Sequence, residues 1–147
     1  MIYLFSTPFG PITYDWDGVV CREIELKEEP LSKDEMALPS HDDPVSAWLE
    51  SYFRGQVKAL PSLQQAATHF QQAMREALLK IPAGKVRTYG EIAAALRSSP
   101  RGLGQALKAN PLPILIPCHR IVAANGLGGF TGGLIWKKRL LRVEGFL

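Results

Sequence analysis

Residues 88–110 read TYGEIAAALRSSPRGLGQALKAN, and their pattern decides the fold of the half of the chain that contains them. Thr88 followed three residues later by Glu91 is a capping-box pattern, which satisfies free amides at a helix start, so a helix opens here and runs through Ile92, Ala95 and Leu96. Ser98-Ser99-Pro100 then breaks the chain and supplies an N-cap hydroxyl and a first-turn proline for a second helix. In that helix Leu103, Ala106 and Leu107 share an inner face, which leaves Arg101, Gln105 and Lys108 outside. Helix, tight turn and helix with a basic outer stripe is a helix-turn-helix arrangement, although two plain scaffold helices carry the same pattern. Gly102 and Gly104 cost helix stability, so they imply a steric need: close approach to a groove wall, or close packing against another helix.

Working outward, Thr68 with Gln71 repeats the capping-box pattern, and Phe70, Met74, Ala77, Leu78 and Ile81 mark one apolar face before Pro82-Ala83-Gly84 ends that helix. Further upstream the pattern changes to strands. Ile12, Tyr14 and Trp16 alternate with smaller or polar residues, Asp17-Gly18 signals a hairpin turn, and Val20 to Leu26 alternates again, with Met1 to Phe5 as a third strand. Residues 28–43 are polar, contain Pro30 and Pro39, and read as a linker. Asp43-Pro44 opens a helix carrying Val45, Trp48, Leu49, Tyr52 and Phe53 until Gly55. The expected fold is α+β: a small N-terminal antiparallel sheet plus helix over residues 1–60, then a mainly helical DNA-binding lobe with a helix-turn-helix over residues 61–147. The aromatic residues of the first lobe read as core.

Charge divides the chain in the same place. Residues 1–80 hold seven basic against twelve acidic side chains, a net of −5, whereas residues 81–147 hold ten against two, a net of +8. Such a basic half points to a polyanion, and to nucleic acid before membrane. No apolar run approaches the roughly 20 residues of a membrane span, and the N-terminus lacks the features of a signal peptide, so a cytoplasmic protein is expected, at the nucleoid in a bacterial or archaeal cell. Cys21 and Cys118 are expected as free thiols. His41, His69 and His119 are scattered without metal-ligand spacing, so neither metal nor cofactor is expected.

The chemistry concentrates in residues 110–122, NPLPILIPCHRIV. Ile114-Leu115-Ile116 reads as a buried extended piece, and Pro117 fixes the direction of Cys118. The plain alternative for Cys118 is an inert buried thiol. Against it stand His119, Arg120 and the later Glu144, because a thiol needs a base or positive field to become nucleophilic and an imidazole needs a carboxylate to orient it. The run Gly126-Leu-Gly-Gly-Phe-Thr-Gly-Gly133 is no nucleotide loop: Thr131 stands where GxGxxG needs glycine. Lys137, Lys138, Arg139 and Arg142 follow on an amphipathic helix with Leu134, Leu140 and Leu141, either as a solvated face or as phosphate contacts.

The segment from Ile116 to Val122 resembles the active-site signature of the O6-alkylguanine-DNA alkyltransferases, the methylated-DNA-protein-cysteine methyltransferases. The resemblance extends through residues 85–93, Pro100-Arg101, Asn110-Pro111, Gly132-Gly133-Leu134 and Val143-Glu144-Gly145, covering essentially residues 68–147. It implies direct-reversal repair: an irreversible, stoichiometric transfer of the alkyl group from O6 of guanine in duplex DNA to Cys118 after base flipping, with O4 of thymine a second candidate target. It also implies that His119 activates the thiol through a water, Glu144 holds the imidazole, and Asn110 supports the thiol and its turn. Arg101 would replace the flipped base, and Tyr89 would crowd the target phosphate and aid the leaving guanine. The second helix, with Gly102, Gly104, Gln105 and Lys108, would lie in the minor groove, with Arg120 a further DNA contact. Pro113, Ile121, Phe130 and Thr131 would line the substrate pocket, Thr131 as a donor to the base.

The partner so implied is double-stranded DNA carrying O6-alkylguanine, with no membrane, bound by a monomer. A non-catalytic alkylated-base sensor is the rival reading, but such relatives usually replace the cysteine that is present here as Cys118. A Cys-His hydrolase of small molecules is a second rival, with no use for Arg101, Tyr89 or the basic half.

Overall fold

The structure is a computed structural model, and it describes residues 1–56 and 58–147. Its contacts divide the chain into two units, Met1–Gln64 and Gln65–Leu147. The fold class is α+β, and residues 61–64 belong with the first unit because the Cys21 amide donates to the Ser62 carbonyl at 2.8 Å and the Gln64 amide to the Cys21 carbonyl at 2.9 Å.

In the first unit, β1 (Ile2–Thr7), β2 (Gly10–Trp16) and β3 (Cys21–Leu26) form an antiparallel sheet in that order, with Tyr3 opposite Tyr14 and Tyr14 opposite Ile24. The Asp17 carboxylate accepts from the Val19 and Val20 amides, each at 2.8 Å, which closes the β2–β3 turn. Asp43 does two jobs. Its Oδ1 caps α2 (Pro44–Phe53) by accepting from the Val45 and Ser46 amides, while Oδ2 accepts from the Tyr14 hydroxyl at 2.6 Å and ties the helix to the sheet. The residues expected as linker contain one helical turn, α1 (Lys33–Met36), closed by a reciprocal Ser32–Glu35 capping box. With four residues and no buried side chain it leaves no periodic signal.

The second unit is built on α3 (His69–Leu79), α4 (Tyr89–Ala95), α5 (Pro100–Lys108) and α6 (Leu134–Val143). Thr68 caps α3, but Gln71 does not complete a capping box: its side-chain amide donates to the Ala106 carbonyl at 3.0 Å, joining α3 to α5. Thr88 and Glu91 do form the reciprocal box at α4. Ser99 caps α5 through the Gly102 amide, and Leu103, Ala106 and Leu107 are buried while Arg101, Gln105 and Lys108 are exposed.

Two short strands, β4 (Arg87–Thr88) and β5 (Ile121–Val122), pair in parallel and bring the start of α4 beside the residues that follow Cys118. The segment Ile114–Ile116 is buried, as expected, but it is not extended. The Ile116 amide donates back to the Leu112 carbonyl at 2.9 Å, and Ile114 takes a left-handed φ of 74°. Two prolines, Pro113 and Pro117, bracket this turn and leave it few backbone donors, which favours a tight turn over a ladder.

Candidate active site

Cys118 begins a 3-10 turn spanning Cys118–Arg120, directly after Pro117, and is 4% exposed. Asn110 organises its surroundings. The Asn110 side-chain NH2 donates to Cys118 Sγ and to the Ile116 carbonyl, both at 3.2 Å, and its Oδ1 accepts from the Leu112 amide at 3.1 Å. One buried amide therefore fixes both the turn and the sulfur. Burial pushes the Cys118 thiol up to about 11, against the Asn110 hydrogen bond, so at neutral pH the group is a thiol and needs a base.

His119 is fully buried, and burial holds its pKa below the ordinary imidazole value. Its Nε2 lies 2.5 Å from Glu144 Oε2. Burial alone would raise the Glu144 carboxyl, but hydrogen bonds from His119 and Arg120 outweigh it and bring the pKa down to about 2. An ionised Glu144 beside a neutral imidazole places the proton on Nε2 and leaves Nδ1 as the basic nitrogen. His119 Nδ1 is buried and has no hydrogen-bond partner among the described residues. The His119 ring also packs edge-on against Phe130, with ring centroids 6.2 Å apart.

Arg120, expected as a DNA contact, is engaged within the protein. Its Nε and Nη2 donate to Glu144 Oε1 and Oε2 at 2.8 and 3.0 Å, and Nη1 donates to the Ile81 carbonyl at 2.7 Å. The guanidinium is committed to a bidentate internal pair. A signal for this was present in the sequence: residues 81–147 hold only two acids, and Glu91 is consumed by its cap, so Glu144 is the one carboxylate left for a buried cation.

Cys118 opens into a cavity of about 360 Å³ lined also by Tyr89, Gly104, Leu107, Lys108, Gly129, Phe130 and Thr131. Phe130 and Thr131, expected to line the substrate pocket, line this cavity with Cys118. Pro113 and Ile121 do not line it; both are buried, Ile121 completely, in the turn and strand behind. The Thr131 hydroxyl donates to the Leu107 carbonyl at 3.1 Å, so its proton is used within the protein rather than offered to a base. Tyr89 donates to the Gly129 carbonyl at 3.3 Å, and Gly128, at φ 72°, passes so close that a Cβ there would meet the Tyr89 ring at 2.9 Å.

The basic run on α6 also divides. Lys138 and Arg142 are exposed, Arg139 stacks over Trp136, and Lys137 is fully buried, with Nζ donating to the carbonyls of Ile121 and Gly129 at 2.6 and 2.9 Å. Leu134, expected inside, is 46% exposed. The buried row is Lys137, Leu140, Leu141 and Glu144, at i, i+3, i+4 and i+7. That spacing was readable, but lysine defaults to the surface in any hydrophobicity pattern. Among the described residues no group of three or more potential ligands could hold a metal ion, and no helix is long and apolar enough to cross a membrane.

The family model for the DNA-binding domain of 6-O-methylguanine DNA methyltransferase matches residues 69–146. The methylated-DNA–protein-cysteine methyltransferase of Saccharolobus solfataricus is 43% identical over 145 residues, covering 97% of this chain and 93% of that protein. The enzyme of the same name from Archaeoglobus fulgidus is 44% identical over 113 residues, or 72% of this chain and 77% of that one. Among solved structures, Mycobacterium tuberculosis OGT in complex with DNA superposes with a TM-score of 0.81 at 31% identity, covering 98% of this chain and 92% of that one. With the cysteine, histidine, asparagine and glutamate in this arrangement, the chain belongs to the 6-O-methylguanine DNA methyltransferase family.

Proposed function

We propose that this protein repairs alkylated duplex DNA by direct reversal, moving the alkyl group from O6 of guanine to its own Cys118. The observation that carries the reading is that the Cys118 sulfur opens into a cavity that Gly104, Leu107 and Lys108 of α5 also line, so the helix with the basic face and the nucleophile share one opening. An O6 substituent inside a duplex is out of reach, so the nucleotide is flipped into the cavity at a cost of a few kcal/mol. Arg101, exposed in the first turn of α5, fills the gap left in the stack, and Tyr89 and Lys108 sit at the cavity against the target nucleotide. Gln105 and Lys108 face the groove, and the small Gly102 and Gly104 let the α5 backbone come close to the minor-groove walls.

In the chemical step the thiol proton passes through a bridging water to His119 Nδ1, whose basicity the Glu144 carboxylate supports. The sulfur lone pair attacks the alkyl carbon, the S–C bond forms and the C–O6 bond breaks. The bonding electrons remain on guanine, which regains a proton from the imidazolium or the Tyr89 hydroxyl. Asn110 holds the sulfur in line by its hydrogen bond. The product thioether has no thiolate leaving path, so each molecule acts once.

The test is intact-mass measurement after incubation with a duplex containing one O6-methylguanine. A gain of one methyl group, mapped to Cys118 and absent from Cys118→Ala, is the expected result. Tight binding of the damaged duplex with no mass gain would instead make the protein a sensor of alkylated bases and overturn the transfer reading.

A further inference from the structure

The last turn of α5 changes its hydrogen-bond step just where the chain leaves for the nucleophile. An α-helix carried one residue further would bring the Asn110 amide to the Ala106 carbonyl, but that amide donates instead to the Leu107 carbonyl at 3.2 Å, three residues back. The Ala109 amide before it keeps the four-residue step, donating to the Gln105 carbonyl at 3.2 Å, so the change falls on Asn110 itself. Side chains from distant parts of the unit answer the two carbonyls concerned. Gln71 of α3 donates its side-chain amide to the Ala106 carbonyl at 3.0 Å, and the Thr131 hydroxyl donates to the Leu107 carbonyl at 3.1 Å. The Leu107 carbonyl thus has a donor besides Asn110, whereas the Ala106 carbonyl has Gln71 in the place of Asn110. Ala106 is buried, so water is a poor substitute for a donor lost there.

We propose that Gln71 is a positioning residue of this site: by occupying the Ala106 carbonyl it stops α5 one residue short and holds Asn110 in the turn from which its side chain reaches the Cys118 sulfur. This rests on Cys118 being the attacking atom. The Asn110 side chain donates to Cys118 Sγ and to the Ile116 carbonyl, both at 3.2 Å, and accepts from the Leu112 amide, so its direction is tied to the direction of its backbone. With the Gln71 donor removed, the amide placed to satisfy Ala106 is that of Asn110, in the ordinary helical step. Thr131 still serves the Leu107 carbonyl, so the exchange leaves neither carbonyl empty. Its cost falls on Asn110, whose Cα–Cβ bond turns with the backbone and carries the side-chain NH2 away from the sulfur. Neither Gln71 nor Ala106 lines the cavity, so the effect reaches the nucleophile through Asn110.

In isotope-labelled protein without DNA, the NMR scalar coupling across a hydrogen bond reports which carbonyl accepts from the Asn110 amide. The coupling is expected to Leu107 in the native protein, to Ala106 in Gln71→Leu, and again to Leu107 in Gln71→Lys, whose ammonium keeps a donor of similar reach. A coupling that stays on Leu107 in Gln71→Leu overturns the proposal. In single-turnover methyl transfer from saturating duplex, Gln71→Leu is expected to slow the rate constant about fivefold, with Gln71→Lys recovering most of the loss. The half-saturating duplex concentration should change less than about twofold, because the loss lies in alignment and not in docking. In an Asn110→Ala background the same replacement should cost less than about twofold, since the residue it acts through is gone; effects that multiply overturn the proposal. A purely structural role would lower the melting temperature and leave the coupling and the saturating rate alone, which overturns it equally. Should Gln71→Leu not fold, the native protein decides, because a coupling from Asn110 to Ala106 there overturns the proposal. If the native protein never accepts methyl from duplex, the assigned reaction fails, while the coupling still reads whether Gln71 sets the end of α5.

Discussion

At Asn110 a single side chain meets the sulfur, a carbonyl and an amide, all of them buried. Removing it orphans the Leu112 amide and takes one of two donors from the Ile116 carbonyl, which keeps the Cys118 amide at 2.7 Å; an unsatisfied buried polar group costs about 1–3 kcal/mol. Asn110→Ala is therefore expected to lower the denaturation midpoint by that order and to slow methyl transfer further than the stability loss explains; chemical denaturation and single-turnover kinetics on the same preparation check both. His119 and Glu144 contribute to the acid limb of stability from within the site. Both have folded pKa values below their unfolded ones, so the unfolded chain binds more protons as pH falls. The stability they contribute is complete above about pH 6.5, begins to fall there as His119 must charge, and falls again from about 4.5 toward 2 as Glu144 is titrated. Thermal melts across that range should show the two-stage loss, and Glu144→Gln should shrink the lower stage, to which Asp17, Glu25, Glu35 and Asp43, also held below the ordinary carboxylate range, contribute as well.

At the scale of elements, α5 separates two reasons for a small residue. A Cβ on Gly102 would lie 3.0 Å from Ser98 Oγ, so that glycine answers to its own turn. Gly104 has nothing within 4 Å of such a Cβ, so no internal packing requires it. Gly104→Ala is accordingly expected to leave the melting temperature equal or higher, since alanine is favoured in a helix by about 1 kcal/mol, and yet to weaken duplex binding. A fluorescence anisotropy titration matching the native protein would remove the groove-approach argument. The helices α2 to α6 were legible because each repeats an apolar face or opens on a local cap, signals carried within a few residues. The four-residue α1 and the two-residue strands β4 and β5 were not, because their hydrogen bonds are supplied by a single cap or by residues more than thirty positions away. Within the site, Cys118, His119, Asn110 and Glu144 could be picked out by chemistry. The inward turn of Lys137 could not be read from its type, because burial of a cation depends on partners that only the tertiary fold brings to it, and that of Arg120 was signalled only by the scarcity of acids in its half of the chain.

For the whole molecule, the unit boundary sharpens the charge division. The first unit holds five basic against eleven acidic side chains and the second twelve against three. Three of the twelve, Arg75, Arg120 and Lys137, are buried or committed inside, so the cations that meet a polyanion are fewer than composition suggests. Duplex affinity is expected to fall linearly with salt on logarithmic axes, with a slope reporting a handful of phosphate contacts. Titrations at several salt concentrations measure it, and replacing Lys108 should reduce the slope by about one, whereas replacing Arg120 should damage folding and leave the slope alone. Ile114 adds a mechanical point. A β-branched residue at φ 74° sits against its own steric preference by about 1–2 kcal/mol, four residues before the nucleophile, held there by complete burial and by the Asn110 bracket. The turn is preloaded like a sprung clip, so slackening anywhere in the surrounding core lets it relax and carries the sulfur out of alignment before the protein as a whole comes apart.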